Sequence, residues 1–277
     1  MLAFGLTPVL LLALAAPSER GALESSIALF NRHAEAPLPA LTERQLRVLL
    51  RGDVVGVYRM PEGEKHGGAV GMLLSRQDRE RLWLGIRDPH VDSPDSLIEF
   101  RLGPIAPGDV ENWYQFLKLP WPFGARHWLV RSHNNLALAE KSAGQAWERR
   151  WKLAKNGEAR SMAAVKRGAV AGVSLEDAEG AIYTPANHGS WALIEQPSGK
   201  TLIGFQVTTL VGGIIPDHLV ARYGVMRMDD VLLGIEEAAK TIHRHYTAGH
   251  NIILGGDGEP IPTFPRDDDG AATRPGE

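Results

Sequence analysis

Apolar and polar positions change their period twice along this chain. Leu23 to His33 has weak helical character and runs into a breaker, Ala36-Pro37-Leu38-Pro39. Thr42 and Gln45 have capping-box spacing, and Leu46, Leu49 and Leu50 form the apolar stripe of the helix that follows. Gly52-Asp53 ends it. Val54 to Tyr58 and Ala69 to Leu74 read as strands on either side of a Gly/Glu/Lys loop at Pro61 to Gly68. Ser75 is expected to cap a helix carrying Leu82, Trp83 and Ile86, which stops near Asp88-Pro89.

From Ser96 to Leu210 the period becomes that of strands. Candidates are Leu97–Leu102, Val110–Leu119, His127–Arg131, Gln145–Leu153, Ala181–Tyr183, Ser190–Glu195 and Thr201–Leu210, separated by turn-prone stretches. Such a meander predicts one antiparallel sheet. Gly212-Gly213 breaks it, and two helices close the domain. The first covers about Asp217 to Tyr223. The second follows a cap at Asp229 and carries Val231, Leu232, Ile235, Ala239, Ile242 and Tyr246 on one face. Gly255 to Glu277, rich in Pro, Gly and Asp, is expected to be a disordered tail. The fold class is α+β, a curved antiparallel sheet wrapped on a long C-terminal helix.

Composition narrows the function. The chain has 277 residues, a formal net charge of −3 and no cysteine. That length supports one sizeable core. Basic and acidic residues are interspersed, without the electropositive stripe that binding to a nucleic-acid backbone needs. Disulfides, cysteine-ligated zinc and thiol nucleophiles are excluded. Residues 1–16, MLAFGLTPVLLLALAA, form an apolar run too short for a membrane span, and Ala13-Leu14-Ala15 offers a small-x-small cleavage pattern. This predicts a signal peptide over 1–16 and an exported protein, periplasmic or secreted. The absence of Lys or Arg before the run departs from that pattern, and a buried or anchoring N-terminal helix is the other reading. Residues 17–40 follow as a helix and linker.

Trp113-Tyr114, the turn Leu117-Lys118-Leu119-Pro120-Trp121-Pro122-Phe123 and Arg126 resemble the central strand pair of START-related lipid-transfer domains. The strand holding Trp147 and Trp151, and Gly212-Gly213-Ile214-Ile215-Pro216-Asp217-His218-Leu219-Val220, fall where that family places a strand and the entry to its C-terminal lid helix. The likeness spans about Leu41 to Tyr246, which puts a START-like domain at 41–250. Ala125 and His127 flank Arg126 where the family commonly has acidic or polar residues. The resemblance implies the helix-grip fold, an internal tunnel for a lipid or other hydrophobic small molecule, and no cofactor or metal. Relatives in the wider superfamily include cyclases.

Alternation along Gln145–Leu153 puts Trp147, Arg149, Trp151 and Leu153 on one face, which is expected to point inward. A guanidinium among tryptophans needs a carboxylate, a ligand head group or water, and Glu195 is a candidate partner. The alternative places both residues near a sheet end in solvent. Trp113, Trp128, Trp147, Trp151 and Trp191 either line a tunnel or fill the core. Gly212, Gly213 and Pro216 form a candidate hinge. His243, His245 and His250 lack the spacing of a zinc site and read as solvated residues of the last helix. Ser132 and His133 face opposite ways on a strand, which argues against serine hydrolysis, and no catalytic or nucleotide-binding motif is found.

Three functions follow. The favoured one is a monomeric carrier or sensor of an apolar molecule, with transient membrane contact and no nucleic-acid partner. The second is a polyketide cyclase or aromatase, for which Arg149, Glu195 and His127 are the ionisable candidates. The third is a structural module whose tunnel is closed by side chains.

Overall fold

The computed structural model describes residues 18–60, 66–88 and 96–266. Helices α1 (Glu19–His33) and α2 (Glu43–Leu50) precede strands β1 (Val55–Arg59) and β2 (Gly68–Ser75), then α3 (Arg79–Arg87). Strands β3 (Leu97–Arg101), β4 (Glu111–Leu117), β5 (Arg126–Asn134) and β6 (Ala146–Leu153) follow, with α4 (Leu136–Lys141) between the last two. Helices α5 (Gly157–Lys166) and α6 (Leu175–Gly180) lead to β7 (Ile182–Tyr183), β8 (Ala186–Glu195) and β9 (Thr201–Leu210). Helices α7 (Asp217–Met226) and α8 (Met228–Thr241) close the domain. The leader and the residues from 267 onward lie outside the described residues, as does most of the 61–68 loop.

The capping box at Thr42 forms as its spacing predicts, the Gln45 amide donating to the Thr42 hydroxyl and the Gln45 side chain accepting from the Thr42 amide. Two expected caps do not form. Asp78, not Ser75, caps α3, accepting from the Arg81 amide at 2.8 Å, while the Ser75 hydroxyl bonds the Gln77 amide and Glu236. Asp229 lies inside the first turn of α8, which has no side-chain cap. Its negative charge still suits the amide end of the helix. Helices α4, α5 and α6 were not expected. Each is short, and α5 has only a weak amphipathic pattern, so packing rather than period holds it in place.

All strands except β7 form one antiparallel path in the order β1-β2-β9-β8-β6-β5-β4-β3, with β7 added parallel to β5. Antiparallel pairing brings alternate strand termini to one end. One end, the mouth, collects Arg59, Gly68, Leu210, Ala186, Leu153, Arg126 and Leu117; the other, the base, collects Ser75, Thr201, Glu195, Ala146, Asn134 and Glu111.

Helices pack on both faces of the sheet. The inner face carries Leu73, Ile203, Leu193 and Trp147, packed at the base with Leu82, Trp83 and Leu84 of α3 and Leu232 and Ala239 of α8. The outer face of β2, β9, β8 and β6 packs on α1 and α2 through Leu23, Phe30, Leu46 and Leu49. The outer face of β4 and β5 packs on the α5–α6 region through Tyr114, Phe116, Leu129, Ala164 and Val165. This corrects the one-sided reading of β6: Ala146 and Glu148, on its outer face, are as buried as Trp147. The tail reading is also corrected over 255–266. There Ile261 is buried, its amide bonds the Ile253 carbonyl at 2.9 Å, and Tyr246 donates its hydroxyl to the Ile261 carbonyl at 2.9 Å. A few apolar side chains and backbone bonds to a preformed surface order a stretch whose own composition predicts no structure.

Candidate functional site

Register brings the tryptophans together. Trp113 stands opposite Val130, Trp151 opposite Ser132, and Trp147 opposite Leu193. Trp128, two residues from Val130, and Trp191, two from Leu193, share that face because side chains alternate. All five therefore point to the inner side of the sheet. Their surroundings differ. Trp147 is enclosed at the base, its ring edge-on to Trp83 with centroids 5.3 Å apart, and Trp128 is buried. Trp113, Trp151 and Trp191 stay half-buried. Trp191 stacks on Phe205 at 4.2 Å and Trp151 on the same ring at 5.8 Å, so three rings from β6, β8 and β9 make a continuous aromatic wall. Asn187 holds the Trp151 indole by accepting from its N–H at 2.9 Å. Helix α7 packs on β1, β2 and β9 of this face, and the wall beyond it on β6 and β8 keeps partial exposure.

Arg149 lies on the same face, opposite Asn134 on one side and Trp191 on the other. It is buried, and its partners are Asp109 and Glu111, not Glu195. Nη1 donates to the Asp109 carboxylate at 2.8 Å and to Asn134 Oδ1 at 2.6 Å; Nη2 donates to Glu111 and, at 2.8 Å, to the Ser132 hydroxyl. Arg87 of α3 meets the same two carboxylates, donating to Asp109 and, at 3.2 Å, to Glu111 Oε2. Two buried guanidinium groups thus face two buried carboxylates, and the more exposed Arg101 reaches Glu111 from the rim at 3.6 Å. Burial, and then the neighbouring Arg87, lower the Arg149 pKa to about 10, against the pull of the two carboxylates. Asp109 reaches inward from a turn in which its own φ is 55°, a left-handed conformation that Asp tolerates better than most residues. Glu111 was legible in principle, since it shares strand parity with Trp113. Asp109 gave no periodic signal because it lies outside the strand.

The other ionisable candidates are dispersed. Glu195 sits at the base edge, half-exposed, and pairs with Arg79 at 3.2 Å. Arg79 also lies over the Trp147 ring, 3.9 Å from its centroid. His127 faces the outer side, beneath α5 and α6, between Tyr114 (hydroxyl to Nδ1, 3.3 Å) and the ring of Tyr183. Burial pushes its pKa below the usual histidine value, with Glu158 acting in the opposite sense. Ser132 and His133 do face opposite sides: Ser132 accepts from Arg149, whereas His133 meets Glu35 at 3.1 Å. His250 lies beyond α8 and pairs with the buried Asp88 at 3.3 Å, rather than standing in solvent on the helix. Among the described residues no three His, Cys, Asp or Glu side chains gather as a metal site.

The segment between β9 and α7 closes the mouth. Gly212 and Gly213 have φ of 65° and 72°, and a Cβ on Gly213 would lie 3.0 Å from the Arg126 guanidinium, so both positions require glycine. Pro216 precedes the first residue of α7. Arg126, buried, donates to the carbonyls of Val211, Gly212 (3.1 Å) and Phe123 (2.7 Å), tying this segment to the Leu-Pro-Trp-Pro turn. Around it, Trp121 is 92 % exposed and Ile214 78 %, and Phe123, Tyr223 and Met226 are exposed too.

No family model matches the sequence, and no curated protein matches it. Solved structures do match. Human StAR-related lipid transfer protein 5 superposes with a TM-score of 0.51 at 12% identity, over 80% of this chain and 98% of that one. Human STARD10 gives 0.50 at 9% identity, over 75% and 83%. A STAR-related lipid transfer protein from Xanthomonas axonopodis gives 0.49 at 16% identity, over 68% and 93%. The two human structures and the sheet closed by C-terminal helices fix the architecture: this chain has the helix-grip fold of START-related lipid-transfer domains.

Proposed function

We propose that this protein binds a lipid or another hydrophobic small molecule between the inner face of the sheet and helices α7 and α8. The observation that carries the reading is the half-buried stack of Trp151, Phe205 and Trp191 on the covered face. Large apolar rings that keep solvent access beside a helix offer an apolar ligand more surface to bury than a filled core would. The Arg149 network at the base end of the same face is satisfied within the protein, so the ligand is held by its apolar part. The exposed Trp121, held between Pro120 and Pro122, and Ile214 and Tyr223 beside the hinge suit brief contact with a bilayer during loading. The apolar leader supports work outside the cytoplasm.

The cyclase reading needs ionisable groups converging on the bound molecule. Arg149, Glu195 and His127 stand at the base interior, the base edge and the outer face respectively, which favours carriage over chemistry. Native mass spectrometry of the protein purified from its own host is expected to show one apolar molecule per chain. Trp151→Ala should lose that molecule. A folded chain that retains nothing apolar, or a Trp151→Ala variant that retains it equally, would defeat the proposal. N-terminal sequencing of the exported chain should begin near Ala16, and recovery of full-length chain from the cytosol would contradict export.

A further inference from the structure

The outer face of the sheet is left uncovered between its two helical layers. Near the mouth, α5 and α6 close over Leu129. Toward the base, the segment after α1 is held down by the buried Glu148 carboxylate, which accepts from the Glu35 and Ala36 amides at 2.8 Å each. Between these covers opens a cleft of about 300 Å3 bordered by Gly108, Val110, Arg131, His133, Asn134 and Lys152. Register lines it with positive charge. Arg131 on β5 stands directly opposite Lys152 on β6, and Lys152 directly opposite His188 on β8. In the next row His133 stands opposite Arg150.

Like charges placed directly across an antiparallel pair destabilise the sheet. In the second row the repulsion is relieved, because Glu35 meets His133 at 3.1 Å and Arg150 at 3.8 Å. In the first row it is not: among the described residues, Arg131 and Lys152 have no carboxylate within reach and no hydrogen-bond partner. An acidic chain of net charge −3 therefore holds two uncompensated cations side by side at the wall of a cleft.

We propose that this cleft is an anion site that takes a phosphate group. The guanidinium of Arg131 presents a fork that matches two phosphate oxygens, and the Lys152 ammonium supplies a point charge to a third. A doubly charged phosphate balances the two cations, which one carboxylate does not. The site lies on the opposite side of the sheet from the aromatic wall, so it is independent of the apolar ligand. The phosphate comes from free phosphate or from the head group of an anionic phospholipid.

Thermal unfolding of the full chain at low ionic strength tests the site, with inorganic phosphate compared against chloride of matched ionic strength. Saturating phosphate should raise Tm by about 3 °C over chloride. The Arg131→Gln/Lys152→Gln variant should lose that rise while unfolding no earlier than the parent in phosphate-free buffer. Lys152→Glu, which gives Arg131 a cross-strand partner, should stabilise the phosphate-free chain and also lose the response; Arg244→Gln, an exposed control, should keep it. Co-sedimentation with phosphatidylcholine vesicles with and without phosphatidic acid separates the sources. Binding that needs phosphatidic acid and is lost in the double variant assigns the head group, and a phosphate response without vesicle binding assigns the free anion. A phosphate effect no larger than that of chloride, or one that survives in the double variant, overturns the proposal.

Discussion

Trp147 and Trp151 stand four residues apart on the same face of one strand, and they face different environments. Trp147 has 2% of its surface exposed, with Trp83 against its edge, Arg79 over its ring and the backbone of Gly255 and Gly256 pressed onto it. Trp151 is half-buried, stacked on one neighbour and anchored by a single hydrogen bond to Asn187. The base half of the inner face is filled by α3, α8 and residues 255–266. The mouth half is flanked by α7 on β1, β2 and β9, and its tryptophans on β6 and β8 keep partial exposure. Whether a tryptophan belongs to the core or to the site is decided by what packs above it, which strand alternation does not encode.

The base should respond to truncation as a core does. Trp147→Ala is expected to cost about 4 kcal/mol in urea unfolding, because the cavity is walled by elements that cannot all collapse into it. Trp147→Phe should recover a large part, since among the described residues the buried indole N–H has no hydrogen-bond partner to lose. Ligand retention in the Phe variant should match the parent. A Trp147→Ala loss under about 1 kcal/mol would erase the distinction between the two halves.

Arg149 sharpens the boundary. Arg149→Met should cost about 3 kcal/mol, because the buried Asp109 and Glu111 would then keep only Arg87 and, at the edge of the site, the half-exposed Arg101 at 3.6 Å from Glu111. Adding Glu111→Gln to it leaves Arg87 with Asp109 as a balanced pair and should restore about half of the loss. A stable Arg149→Met variant with weakened ligand binding would instead assign the guanidinium to the ligand. In the mouth half, Trp151→Ala should cost only about 1 kcal/mol of stability and weaken binding of an apolar fluorescent probe about tenfold, the reverse of the pattern at Trp147.

Much of this was legible in the sequence. Strand alternation gave the sheet and the inner face of β6, the Thr42 capping box gave the start of α2, and the Leu-Pro-Trp-Pro turn and the Gly-Gly entry to the last helices pointed to the fold. Pairing was not legible. The partners of Arg149 come from β4 and the turn before it, and their nearness depends on a strand order, β8-β6-β5-β4, that no local period encodes. Glu195 shares a face with Trp191 but lies four positions further toward the base edge, too far along the strand to serve Arg149. His127 is an ionisable candidate for the inner face by residue type alone; its strand neighbours Arg126 and Trp128 take that face, so it belongs to the outer layer. The order in residues 255–266 is likewise a tertiary effect, set by a surface that those residues do not themselves contain.

The difference between the halves also implies a route of entry. A filled base offers no passage, so an apolar molecule must reach the wall from the mouth, past α7. That helix rests on β2 where Gly224 meets Ala69: a Cβ built on Gly224 would lie 3.1 Å from the Ala69 Cβ. This is slightly closer than the usual disulfide spacing of about 3.8 Å, and a small shift of the helix accommodates it. Ala69→Cys/Gly224→Cys can therefore crosslink the two elements in a chain with no other cysteine. The crosslink leaves the wall unchanged and acts alike on free and loaded protein, so affinity should stay within about twofold of the reduced form. Exchange of a bound fluorescent probe should slow at least about tenfold in the oxidised form and recover on reduction, as expected when a lid motion sets the rate. Equal exchange rates in both redox states, with the bond confirmed by mass, would move the gate from α7 to the loops beside it and remove this difference between mouth and base.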